Sequence, residues 1–224
     1  MVHLHYSDAH THHFTNHDGL TCLCAAQLSD WSTIKEIASP QLIPFFGIHP
    51  WFLDKESFEN QLQLLEEYLI SCPIAGVGEI GLDKTLRKST DFSFQKEAFY
   101  KQLHLATRYH RPIATHCVKS WGTLGDYLSS CPQQRIIVHG WNGSLSPTQL
   151  KHSQDFLLSV GWREFLHKPE TIRSIPLEHL ALESDATDKP LADLYSAISD
   201  YLGLSSTELC LITEKNLKRL LSLT

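Results

Sequence analysis

Asp8-Ala9-His10-Thr11-His12 is the stretch on which both the fold and the chemistry of this chain turn. It follows a short apolar-polar alternation, and in an extended backbone His10 and His12 point to the same side about 7 Å apart, so both imidazoles can converge on one ion. A His-x-His triplet is a weak signal alone, because the chain holds 14 histidines in 224 residues and a second triplet, His3-x-His5, sits just upstream. Four other residues give it weight. Glu79, His116, His139 and Asp185 each close or follow a short apolar run that reads as a buried strand. That makes six candidate metal ligands at strand ends.

Working outward, β-like runs fall at 4–9, 20–25, 42–47, 74–77, 112–115, 135–138, 156–160 and 179–183. Helical stretches lie between them at 33–38, 55–71, 94–110, 121–130, 147–152, 169–174 and 190–202. This alternation predicts a parallel sheet with crossover helices, and the count is that of an α/β protein of the (β/α)8 TIM-barrel kind. Phe58, Leu62, Leu65 and Leu69 recur at helical spacing, so one face of their helix can lie on the sheet. Ser146-Pro147 offers an N-cap with proline at the first helical position, and Ser205-x-x-Glu208 reads as a capping box opening a last helix. All strand C-termini of such a barrel emerge on one face. His10 and His12 after strand one, His49 after three, Glu79 after four, His116 after five, His139 after six and Asp185 after eight would therefore meet over its mouth. The competing explanation is that loops begin with polar residues anyway, which serves for one position better than for all of them.

Length and composition set the outer bounds. A chain that is 42% hydrophobic can bury a large core, and no Gly/Ser/Pro-rich linker or charge block divides it, so residues 1–224 are expected to form one domain. The net charge of −6 argues against a broad electrostatic footprint for duplex nucleic acid, but bound divalent cations could supply local positive charge for phosphates. No apolar stretch approaches the ~20 residues needed to span a bilayer, and the first eight residues are too polar for a signal peptide. The six cysteines show no CxxC pair and no dense framework, which fits reduced thiols. A cytoplasmic protein with no membrane partner is the expectation, with a monomer as the working oligomeric state.

The same motifs resemble those of the TatD family of metal-dependent hydrolases, within the amidohydrolase-like superfamily. The matching stretches are Asp8 to His12, Gly47-Ile48-His49-Pro50, Gly78-Glu79-Ile80-Gly81-Leu82-Asp83, Thr115-His116-Cys117, Val138-His139-Gly140-Trp141-Asn142-Gly143 and Glu183-Ser184-Asp185. They come in the right order over nearly the whole chain, and Gly-Glu-Ile-Gly-Leu-Asp is the most specific of them. The resemblance implies a centre for two divalent ions, with Zn, Mn, Mg, Fe or Ni all open. His10, His12, Glu79 and Asp185 would hold one ion, and Glu79, His116 and His139 the other, with Glu79 as the bridge. Asp185 would also accept the proton of the attacking water, and Asp8 and Glu183 would orient the ligating side chains.

The resemblance also implies a phosphodiesterase acting on DNA or short oligonucleotides, with His49, Lys84, Arg87 and Lys119 as expected substrate contacts. The departures from the family pattern fall around the ligands and not on them. Lys84-Thr85-Leu86-Arg87-Lys88 replaces the usual aromatic and arginine residues, Val118 precedes Lys119, Gly140-Trp141 replaces Cys-Phe, and the segment before strand eight is short. Two rival readings are an amide or ester hydrolase of the same superfamily and a metal-binding module that has lost turnover.

Overall fold

The computed structural model describes residues 4–13, 19–86, 91–131, 133–150 and 152–223. Eight strands run in sequence order: β1 (Asp8–Thr11), β2 (Thr21–Cys24), β3 (Leu42–Phe46), β4 (Gly76–Asp83), β5 (Ile113–Val118), β6 (Arg135–Val138), β7 (Asp155–Val160) and β8 (Leu180–Leu182). Each is parallel to the next. The ring closes just beyond β8, where Asp185 N–H donates to the His10 carbonyl at 2.9 Å and His12 N–H to the Asp185 carbonyl at 3.3 Å. This is the expected (β/α)8 barrel.

The helices are α1 (Trp31–Glu36), α2 (Phe58–Ser71), α3 (Phe92–Arg108), α4 (Trp121–Ser129), α5 (Trp162–His167), α6 (Pro169–Ile172), α7 (Leu191–Leu202) and α8 (Ser206–Leu221). The α2 stripe buries Phe58, Leu65 and Leu69, and the capping box at Ser205 and Glu208 opens α8. Two helical expectations change. Among the described residues of 147–152 the 3-10 turn Pro147–Gln149 forms, because Ser146 and Gln149 close a reciprocal cap on a single turn, and the chain re-enters the sheet at Asp155. Conversely, α5 forms where no helix was expected. It stops at Lys168 because Pro169 pushes the preceding residue out of the helical region, and the chain restarts with that proline as the first residue of α6.

Side chains alternate between two packing layers. Leu23, Phe46, Ile113, Ile136, Val138, Leu158, Val160, Leu180 and Leu182 meet the helices outside the barrel. The intervening Cys22, Cys24, Ile43, Phe45, Ala114, Ile137, Leu157 and Ala181 fill its interior, joined by Leu217 and Leu220 of α8. The period-2 rule carries the inner series upward from Ala114 to His116, from Ile137 to His139, and from Ala181 to Glu183 and Asp185. The interior of the barrel is therefore apolar at depth and becomes ligand-bearing at its mouth.

Strand bounds differ from expectation where the polar residues sit. β4 runs on to Asp83 and not only to Val77, and β5 runs past His116 to Val118. An apolar run marks only the part of a strand buried on both faces, whereas the ladder continues as long as neighbouring strands supply partners. The β4–β5 register shifts between Val77 and Ile80, which lets Ile80 and Leu82 join Val77 in the outer layer while Glu79 faces the histidines. Gly81 is needed beside them, since a Cβ there would fall on the His116 carbonyl.

Candidate metal centre

Six side chains from five strand ends converge at the mouth. His10 Nε2 and His12 Nε2 are 3.2 Å apart, close to the ~3 Å expected between adjacent ligand atoms that each lie ~2.1 Å from one ion. Glu79 is buried and its two oxygens divide the histidines between them. Oε2 lies 3.4 Å from His10 Nε2 and 3.2 Å from His12 Nε2, while Oε1 lies 2.8 Å from His116 Nδ1 and 3.7 Å from His139 Nε2. Asp185 Oδ1 stands 3.9 Å from His10 Nε2 and 3.8 Å from His12 Nε2. The His10 and His139 rings stack at 3.9 Å. Groups able to share a cation are His10, His139 and Asp185; His10, His12 and Glu79; and His49, Glu79 and His116.

The far nitrogen of each imidazole decides which of them can ligate. A neutral imidazole has one N–H and one lone pair, so a histidine ligates only if its other nitrogen carries the proton toward an acceptor. His12 Nδ1 faces the Cys24 carbonyl at 3.0 Å, and His10 Nδ1 faces the Cys24 thiol at 3.2 Å. His139 Nδ1 is 2.9 Å from Glu183 Oε1, and His116 Nε2 is 3.6 Å from Asp83 Oδ2. With the ring neutral and the far nitrogen protonated, each of the four would turn its lone pair toward Glu79. His49 is the reverse case: its Nδ1 accepts from Trp51 N–H at 3.1 Å, so its proton sits on Nε2, 3.8 Å from Glu79 Oε2. His49 reaches the centre as a donor, although distance alone would admit it as a ligand.

The electrostatics follow from burying so many charges together. Burial by itself would raise the Glu79 carboxyl, but the adjacent His139 and His10 outweigh it and hold the group well below the usual carboxylate range. Burial likewise works against charge on His139, yet Glu183 and Glu79 on either side push it up to about 10. Burial and the neighbouring His139 depress His10, and burial holds His49 neutral, down at about 3. Two buried carboxylates thus demand positive charge between them, and a proton on His139 supplies it. A divalent cation would supply more, from the same donor set of imidazoles and carboxylates that suits such ions.

This geometry meets independent comparison. The family model described as TatD related DNase matches residues 2–222. The chain belongs to the TatD-related DNase family. Among its TatD-family relatives, the Escherichia coli "uncharacterized metal-dependent hydrolase YjjV" is 32% identical over 65% of this chain and 58% of its own length. The human "3'-5' RNA nuclease TATDN2" is 30% identical over 63% of the chain and 19% of its own length. The fission-yeast "Deoxyribonuclease Tat-D" is 28% identical over 62% and 49%. The crystal structure of YjjV superposes with a TM-score of 0.76 at 22% identity, covering 98% of both chains. The alignments to these curated relatives therefore span little more than half of each relative at most, while the fold likeness to YjjV covers the TatD barrel end to end.

The remaining expected residues fall around this centre. Asp8 lies beneath it, accepting from His10 N–H at 3.2 Å and from Ser184 N–H and Oγ–H at 3.0 and 2.6 Å. Glu183 reaches both the His139 ring and Gly140 N–H, the latter at 3.0 Å. Lys84 and Lys119 follow β4 and β5 directly, but neither lines the mouth, and the Lys84 ammonium sits over the Phe92 ring. Arg87 lies outside the described residues.

Sequence reading assigned no role at this site to Cys24, Asp83, Trp51 or Arg163. Among the described residues, Arg163 is the one arginine or lysine lining the roughly 340 Å³ cavity above Glu79, His116, His139 and Asp185. The Trp-Arg-Glu-Phe run after β7 carries no spacing signal that could have announced it.

Proposed function

We propose that this chain is a two-metal phosphodiesterase that cleaves DNA or short oligonucleotides. The observation that carries the reading is the division of the buried Glu79: its two oxygens face two separate histidine pairs, His10 and His12 on one side and His116 and His139 on the other. His10, His12, Glu79 Oε2 and Asp185 would hold one ion, and Glu79 Oε1, His116 and His139 the second. Held there, two such cations would supply Lewis acidity toward a phosphoryl oxygen and lower the pKa of a water toward neutrality.

The chain's own groups do the rest. Asp185, with its side chain 42% exposed, can be reached by water and accepts the nucleophile's proton at its free oxygen. Its backbone φ of 53° is one that few residues other than glycine adopt, which aims the carboxylate back over β1. The His49 Nε2–H can donate to a non-bridging phosphoryl oxygen, and the Arg163 guanidinium supplies fixed positive charge at the rim. Lys84 and Lys119, on the same face but outside the cavity, suit flanking phosphates, as does Arg87 from its place in the sequence.

The names of the human and yeast relatives support a nucleic-acid substrate. Among the described residues no helix is long and apolar enough to cross a membrane. Six unpaired cysteines support a cytoplasmic site of action, and a monomer completes the reading.

The test strips the protein of metal, restores Mn, Zn, Mg, Fe or Ni singly, and measures cleavage of single-stranded DNA, RNA and a panel of simple esters. Oligonucleotide cleavage restored by a divalent ion, with about two ions bound per chain, is the expected result. Turnover of esters alone moves the chain to the ester-hydrolase reading, and metal uptake with no turnover makes it a binding module.

A further inference from the structure

The cavity over the metal centre has a wall that the chemistry of hydrolysis does not require. Trp51 and Phe52 follow His49 in the 3-10 turn Pro50–Phe52 after β3, and both line the cavity together with Glu79, His116 and Asp185. They are also exposed, at 59% and 41% respectively. A tryptophan left this open gains little from burial, so packing alone does not explain it.

It is nevertheless fixed on three sides. Its indole Nε1–H donates to Asp83 Oδ2 at 2.9 Å, its backbone N–H donates to His49 Nδ1 at 3.1 Å, and the His49 ring meets its indole edge-on at 5.2 Å and 89°. Asp83 cannot yield, because it is buried and also accepts from Thr85 N–H at 2.8 Å and Thr85 Oγ–H at 2.5 Å. Asp83 Oδ2 is the same oxygen that faces His116 Nε2. One buried carboxylate oxygen thus binds the exposed indole and faces a candidate metal ligand.

We infer that Trp51, flanked by Phe52, is the stacking platform for the base of the nucleotide being cleaved. This deepens the phosphodiesterase reading and rests on it. The ligand has to join two chemistries a few ångströms apart: an anionic phosphodiester for the metal centre and Arg163, and a flat ring for an open indole face. A nucleotide does so. Ala26, Val118 and Ala186 add an apolar stretch of cavity wall, with His13 and Cys117 beside it. Recognition there is by ring stacking, which every base satisfies. The cavity volume, about 340 Å³, lies at the small end of the range for ligand sites and suits a single unpaired nucleotide. Because the indole is held before the substrate arrives, little conformational freedom is lost on binding.

The experiment compares kcat/KM for a short DNA oligonucleotide with that for the same sugar-phosphate chain lacking all its bases, on the metal-loaded protein. The unmodified protein should prefer the base-bearing chain by on the order of 10- to 100-fold, the usual worth of one aromatic stack. Trp51→Ala should bring that ratio close to one, while Trp51→Phe, which keeps a ring and loses the Asp83 bond, should keep a substantial part of it. A ratio is insensitive to a general loss of activity, so partial damage to the centre does not imitate the effect.

A second measurement needs no turnover: a phosphorothioate oligonucleotide should quench tryptophan emission in the unmodified protein and do so far less in Trp51→Phe. The platform is overturned if the unmodified protein cleaves both chains equally well, if Trp51→Ala keeps the full preference, or if the quench is the same in Trp51→Phe. Should the unmodified protein cleave neither chain, the nuclease reading has failed, and a Trp51-dependent quench would still support the platform.

Discussion

At the residue scale, the proposed metal binding depends on which nitrogen of each histidine is free, and the groups that decide this are testable one at a time. Glu183 holds His139 by Nδ1. Glu183→Gln keeps the shape but weakens the acceptor, and should lower metal affinity by about 10- to 100-fold in a chelator-competition titration; unchanged affinity would show that Glu183 does not orient the ligand. Asp185→Asn retains an oxygen but not its basicity. Metal content should persist at least in part while turnover falls by a factor on the order of 10² to 10⁴, and an undiminished rate would remove Asp185 from the role of base. The convergence of the candidate histidines was legible in the sequence because strand ends of a barrel share a face whatever their separation along the chain. Cys24, whose thiol and carbonyl serve His10 and His12, was not. Nothing in Cys-Leu-Cys distinguishes a strand residue that fills the interior from one that also orients a ligand, and its partners lie 14 and 12 positions away.

At the scale of elements, the centre depends on the seam where β1 meets the end of β8. Asp8 clamps that seam through Ser184 and His10. Burial lifts its carboxyl to about 7 despite hydrogen bonds from Ser184 and His10 that favour the charged form. Asp8→Ala would leave buried N–H and O–H donors without that acceptor. It should destabilise the metal-free protein by about 2 to 4 kcal/mol in urea unfolding, and a loss below ~0.5 kcal/mol would mean that the seam is held elsewhere. Gly81→Ala makes a complementary test, since the added methyl has to displace β4 from the His116 carbonyl. Metal affinity should fall together with stability. The existence of β4 was readable from Ala75-Gly76-Val77, but not its continuation through Glu79 to Asp83, because that part of the strand is made by pairing with β5 and not by a hydrophobic run.

At the scale of the whole molecule, the buried charges make stability and metal binding depend on pH in opposite directions. His139 is raised from an ordinary 6.5 to about 10 by Glu183 and Glu79, against the effect of burial. Its contribution to the metal-free fold is fully present below pH ~6.5 and is lost as pH rises through about 10. Metal must displace that proton, so metal binding strengthens over the same interval. The gap in Tm between metal-loaded and metal-free protein should therefore widen from pH 7 to pH 9 in thermal unfolding. A gap that narrows would show that His139 does not give up a proton to the ion.

The sequence by itself determined the barrel and its candidate ligands, since strand-helix alternation and polar residues ending apolar runs are local patterns that parallel closure brings to one face. Only the tertiary structure decided that Glu79 divides between two histidine pairs, that His49 arrives as a donor, and that Asp83 ties an exposed tryptophan to His116. These are relations of distance and proton placement between residues far apart in the chain, and they come into being when the sheet closes.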